Sequence, residues 1–170
     1  RLPACAIRSA RFTETVGGRA ATVRLDARAS TPSTGLIVAS RAEFDGRLLA
    51  AARDGGAEVL ASRVIDVAVS AGGFRIDTAD GPRRAACLIG ADGANSLVRR
   101  RLSRPFRRDQ LSIATGYFAH GVTSDEIVIE FMSAPPGYLW SFPRPTHLAI
   151  GICAQADAGV TAGWLRARAL

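Results

Sequence analysis

Short apolar runs and stretches of partial alternation recur along the chain, as at 20–26 and 138–142, and apolar residues at helical spacing appear at Phe44, Leu48, Leu49 and Ala52. The pattern therefore predicts mostly strands, broken by a few helices. The stretch 7–26 reads as two strands folded around Val16-Gly17-Gly18, a good hairpin turn. Residues 28–35 are rich in Ser, Thr and Pro and predict a loop. Leu36 to Ala39 predicts a short strand. Arg41 to Asp54 predicts a helix, with Ser40 and Glu43 forming a capping box and Phe44, Leu48, Leu49 and Ala52 on one face. Gly55-Gly56 ends that helix by supplying a left-handed residue. Three strands follow at 57–70, 74–79 and 84–89, with turns at Ala71-Gly72-Gly73 and Asp80-Gly81-Pro82. Gly90 to Ser96 is a tight turn, and Asn95 or Ser96 caps a helix running through Leu102. Antiparallel strands are expected at 111–119, 126–132, 138–142 and 147–153, then a helix from Ala162.

Composition narrows the reading. The 170 residues are 48% apolar, enough for one domain or for parts of two. No stretch approaches the roughly 20 apolar residues of a spanning helix. An Arg at position 1 and no charged-then-apolar leader lead us to expect an internal segment without a signal peptide. The net charge is +7, and every one of the 22 basic residues is Arg. The one dense cluster is Arg99, Arg100, Arg101, Arg104, Arg107 and Arg108. It reads either as a solvated helix end or as a surface for an anionic partner. Only one aromatic residue, Phe106, falls within it and no zinc-finger or RNA-module signature occurs, so nucleic acid is not expected as a partner. Cys5, Cys87 and Cys153 are too few and too far apart for a disulfide framework or a metal site, and Cys87 is expected in the core. His120 and His147 show no ligand spacing. No metal is expected, and a reducing, cytoplasmic setting fits best.

Three segments carry candidate chemistry. In Cys87-Leu-Ile-Gly-Ala-Asp92-Gly93-Ala-Asn-Ser96-Leu-Val-Arg99 an apolar run enters a glycine turn and then a capped helix. Gly93 permits positive φ or close approach of a ligand, and the helix N-terminus offers N–H groups to an anion. Asp92 either accepts bonds from a ribose or caps its own loop. Arg41 sits at a strand-to-helix junction, as a surface cation or as one reaching into a cleft. In Gly137-Tyr138-Leu-Trp140-Ser-Phe142-Pro143, alternation puts three aromatics on one face, as core packing or as an apolar wall.

Taken together, Arg-x-x-Phe-Asp-x-x-Leu from Arg41, Gly-Ala-Glu-Val from Gly56, and Gly-x-Asp-Gly-x-x-Ser-x-Val-Arg from Gly90 resemble the flavoprotein hydroxylase and reductase superfamily. The run Tyr-x-Trp-x-Phe-Pro, then seven residues, then Gly-x-Cys resembles the geranylgeranyl reductase motif, with Cys153 where the family has a final glycine. The resemblance implies a mixed α/β and α+β fold. A partial three-layer FAD/NAD(P)-binding domain (36–105) would be interleaved with an antiparallel-sheet substrate domain (1–35 and 106–170). It implies FAD as cofactor, NAD(P)H as a possible electron donor, and a lipid-like small-molecule substrate with possible contact at a membrane surface. By the same resemblance Arg41 reaches the FAD, Val64 offers backbone bonds to the adenine, and Asp92 and Gly93 turn beside the cofactors. Tyr138, Trp140, Phe142 and Pro143 wall the substrate cavity. No catalytic proton donor is implied. The expected reaction is reduction of an isolated carbon–carbon double bond by reduced FAD. The alternatives are an aromatic monooxygenase or halogenase of the same superfamily, or a non-catalytic, anion-binding relic. No Gly-x-Gly-x-x-Gly occurs anywhere in the chain, although that loop cradles the FAD pyrophosphate in such enzymes.

Overall fold

A computed structural model describes residues 2–25 and 36–168. The expected loop at 28–35 lies outside the described residues. The rest forms three sheets and three helices among the described residues.

The N-terminal stretch is split. β1 (Ala4–Ala6) pairs antiparallel with β4 (Ile37–Ala39), while β2 (Ser9–Glu14) and β3 (Ala20–Arg24) form the expected hairpin. Gly17 and Gly18 take φ of +97° and +63° in its turn, which an L side chain rarely adopts.

Helix α1 (Arg41–Asp54) has the expected bounds, but Ser40 makes no side-chain cap and the capping box does not form. The Arg41–Asp45 ion pair occupies the first turn instead, with Nη2 donating to Oδ2 at 2.9 Å. The helix ends in a Schellman arrangement. Ala57 N–H donates to the Ala52 carbonyl, Gly56 N–H donates to Arg53, and Gly56 takes φ +92°. Phe44, Leu48 and Leu49 share one side of α1, yet each is about half exposed, and α1 buries no residue among the described ones.

The expected strand 57–70 begins only at Val64, because residues 57–63 find no sheet partner among the described residues. β5 (Val64–Ser70), β6 (Gly73–Thr78) and β7 (Gly81–Ala85) make an antiparallel meander. The third strand lies earlier than the expected 84–89. Thr78 pairs with Gly81 across a tight turn, so the register carries β7 back to Gly81 and its pairing with β6 ends at Ala85. Cys87 is consequently exposed rather than in the core. Helix α2 (Leu97–Leu102) packs on β5.

The largest sheet has the order β3-β2-β9-β10-β11-β8, with β8 (Ser112–His120), β9 (Glu126–Ser133), β10 (Pro136–Pro143) and β11 (His147–Gln155). Its last four strands are mutually antiparallel as expected, but β2 joins β9 in parallel, so the sheet is mixed. Helix α3 (Ala162–Arg168) lies on one face. There Leu165, Ile152 and Ala154 are fully buried, and they pack with Met132, Leu139, Ile113 and Val160 into the main apolar cluster.

Candidate functional site

The glycine-turn motif is built by its own hydrogen bonds. Asp92 Oδ2 accepts from the amides of Leu97 at 2.5 Å and Val98 at 3.2 Å. Ser96, 8% exposed, is the N-cap, and its Oγ accepts from the Arg99 amide at 2.9 Å. The Ser96 hydroxyl, helped by the Val98 and Leu97 amides, holds the Asp92 carboxyl below its ordinary value against the opposing effect of desolvation. The first amides of α2 are therefore occupied by the protein itself. The expectation that this helix N-terminus offers them to an anion is corrected, since Asp92 stands where the anion would. Gly93 keeps its expected role as an open backbone corner, with φ +78° and no atom within 4 Å of where a Cβ would stand. Gly90 is glycine for a different reason, because a Cβ there would meet the Val98 side chain at 2.9 Å.

Val64 and Asp92 line one cavity of about 360 Å³, floored by Val67, Ile76 and Leu97 between the meander and α2. Gly93 lines a neighbouring cavity of about 510 Å³ with Gly90, Arg99 and Phe106. Arg41 borders neither, and its guanidinium is exposed and bound to Asp45.

Apart from the half-buried Arg99 the arginine cluster is exposed, as a solvated helix end would be, but several of its charges have partners. Arg99 stacks over Phe106 at 4.0 Å from its centroid, Arg101 bonds Asp66 at 2.5 Å, and Arg108 donates to the Ala156 carbonyl at 2.7 Å. Arg107 pairs with Asp109, and Arg100 donates to the Asn95 carbonyl. Arg101, followed by the Val67 amide, lowers the Asp66 pKa.

On β10 the three aromatics do share a face, with centroid separations of 5.8 Å for Tyr138–Trp140 and 6.3 Å for Trp140–Phe142. They point away from α3, whose cluster takes Leu139 from the opposite face. Register extends the aromatic face sideways to Phe131 and Ile129 on β9, Phe12 on β2, and Phe118 on β8. Phe12 and Phe131 are stacked at 6.3 Å. Pro143 departs from the expected wall. Strand alternation turns it to the other face, where it is fully buried. Gly151 lies opposite Trp140, and a Cβ there would meet indole Cε2 at 2.6 Å and Cη2 at 2.7 Å. That contact explains the glycine that follows Pro143 after seven intervening residues. It makes room for the indole, and Gly116 continues the gap on β8. Cys153 faces Tyr138 across the strands, and the phenol O–H donating to its sulfur raises the phenol pKa. Sequence reading missed Gly151 and Phe131 as parts of this face. The spacing Trp140 to Gly151 hinted at the first, while only pairing brings in the second.

Open apolar sheet, glycine corner and meander-helix cavity together define a fold shared with FAD-dependent oxidoreductases and halogenases. The chain is similar, at TM-score 0.74 and 22% identity, to a geranylgeranyl bacteriochlorophyll reductase-like protein from Thermoplasma acidophilum, covering 95% of this chain and 43% of that one. It is also similar to HpxO of Klebsiella pneumoniae, solved with FAD and uric acid, at TM-score 0.61 and 19% identity over 92% of this chain and 42% of that one. The halogenase PltM, solved with phloroglucinol and FAD, aligns at TM-score 0.64 and 15% identity over 91% of this chain and 36% of that one. In sequence, 76% of the chain matches 35% of the menaquinone reductase of Mycolicibacterium smegmatis at 35% identity over 144 residues. An uncharacterised protein of Methanosarcina barkeri is 30% identical over 115 residues, 65% of this chain and 30% of the relative. The chain thus spans about a third of the length of these curated relatives. No family model matches it.

Proposed function

We propose that this segment belongs to an FAD-dependent oxidoreductase that reduces isolated carbon–carbon double bonds of a prenyl lipid. The observation that carries the reading is the aromatic face of the large sheet. It presents Tyr138, Trp140, Phe142, Phe131 and Phe12 side by side and is not covered by α3. A polyprenyl chain laid on such a face gains about 0.8 kcal/mol per buried CH₂. The fold of a geranylgeranyl bacteriochlorophyll reductase-like protein and the sequence match to a menaquinone reductase support a lipid-like substrate.

The residues present fit part of an FAD site. Gly93 offers an unobstructed backbone corner, and the cavity bordered by Val64 and Asp92 is mostly apolar and of a size to hold a flat ring. Arg41 supplies an exposed cation that is already paired with Asp45. Reduced FAD, when bound, supplies the hydride. The protein's own part is placement: Asp92 and Ser96 fix the turn, the aromatic face orients the chain and excludes water, and Gly151 sets how deeply Trp140 lies. NAD(P)H is the proposed electron donor. No helix among the described residues is long and apolar enough to cross a membrane.

The test takes the protein carrying this segment, loaded with FAD and reduced anaerobically with dithionite, and incubates it with a geranylgeranyl lipid. Mass spectrometry should show hydrogen pairs added, and Trp140→Ala should keep the flavin spectrum while losing activity on long chains first. No mass gain, with oxygen-dependent hydroxylation or halogenation of a small aromatic ring instead, would move the protein to the branch of HpxO and PltM.

A further inference from the structure

The chain contains two histidines, and folding makes them direct cross-strand partners, His120 at the end of β8 and His147 at the start of β11. Their ring centroids lie 5.3 Å apart with planes inclined by 45°. Two imidazoles bound to one tetrahedral metal through nitrogens at about 2.0–2.1 Å, each centroid about 1.1 Å further out, have centroids about 5 Å apart. The rings already stand at that separation. Phe118 sits edge-on to both, at 4.8 Å from His147 and 6.4 Å from His120, and restricts how far either ring can swing. Thr146 Oγ1 lies 3.3 Å from His147 Nδ1. When Thr146 accepts the Nδ1 proton, the Nε2 lone pair is left for a ligand bond, the usual arrangement of a metal-binding histidine.

We propose that His120 and His147 form a two-histidine site for a divalent transition-metal ion. The donor set selects the class. Imidazole nitrogens suit Cu²⁺, Ni²⁺ and Zn²⁺, whereas Mg²⁺ and Ca²⁺ require oxygen ligands. Among the described residues no group of three or more His, Cys, Asp and Glu gathers around the pair. The remaining coordination positions therefore go to water or another exchangeable ligand. The site lies on the same sheet face as the aromatic wall, at its β8 edge. It stands at the end of the sheet marked by Phe118, and none of the residues proposed to hold FAD contributes to it.

Ni²⁺ is the probe, because it does not oxidise thiols as Cu²⁺ does. The protein carrying this segment is titrated with Ni²⁺ by calorimetry, and the ring signals of His120 and His147 are followed by NMR. One ion should bind per chain, and both ring signals should broaden together. His120→Ala and His147→Ala should each weaken binding at least about tenfold, since either leaves a single imidazole. His120 is exposed, so its replacement should leave the fold intact, and circular dichroism with His120→Gln as a second variant checks this. Broadening of one ring alone, no one-to-one binding, or unchanged affinity in a folded His120 variant would overturn the proposal.

Discussion

Replacing Gly151 by Ala sets two effects of opposite sign against each other. Ala restricts the unfolded chain more than Gly does, which by itself stabilises by about 0.4–1 kcal/mol where the backbone conformation is ordinary. Gly151 lies in a regular strand and has no left-handed φ, so that gain is available. Against it, the new methyl would overlap the Trp140 indole, with Cε2 2.6 Å and Cη2 2.7 Å away. The ring cannot slide along its strand, because Tyr138 and Phe142 flank it at 5.8 Å and 6.3 Å. It must lift off the sheet, and overpacking of this kind costs about 1–3 kcal/mol. The clash wins, and Gly151→Ala should lower stability by about 1–2 kcal/mol, or roughly 2–4 °C in Tm per kcal/mol for a chain of this size. The assay is urea unfolding in a Trp164→Phe background, so that fluorescence reports Trp140 alone. Emission should shift to the red in the Gly151→Ala protein as the indole meets water. A double-mutant cycle decides the cause. In a Trp140→Ala background the same substitution should become neutral or stabilising. An equal penalty with and without the indole would refute the reasoning and place the strain in the backbone.

Two further outcomes rest on single contacts. Leu165→Ala should cost about 2–5 kcal/mol by emptying the fully buried position where α3 meets β11, measured by chemical unfolding. Asp92 has its pKa depressed by Ser96 and the α2 amides, so its contribution is present above its ordinary value of 3.8 and is lost as the pH falls below it. Asp92→Asn should therefore lower Tm at neutral pH, and the gap to the wild type should close in titrations taken well below that value.

Local pattern carried much of this fold. The hairpin at Gly17-Gly18, the bounds of α1, the Schellman end at Gly56, the Ser96 cap and the four C-terminal strands all follow from residues within a few positions of each other, where propensity and period act directly. The aromatic face of β10 was legible for the same reason, since alternation is a local property. Tertiary structure decided what depends on partners far along the chain. Residues 57–63 lead directly into β5 and were expected to extend it, but a strand exists only where another strand bonds to it, and none does among the described residues. Pairing of β2 with β9, across more than a hundred residues, widened the aromatic face to Phe12, which stacks on Phe131 of β9. The arginine cluster looked like free charge until its carboxylate, carbonyl and ring partners came into contact from other segments. His120 and His147, without any ligand spacing in the chain, became neighbours because β8 and β11 pair antiparallel in that register. Sequence spacing encodes contacts along one element, whereas contacts between elements are set by register, which only the assembled sheet defines.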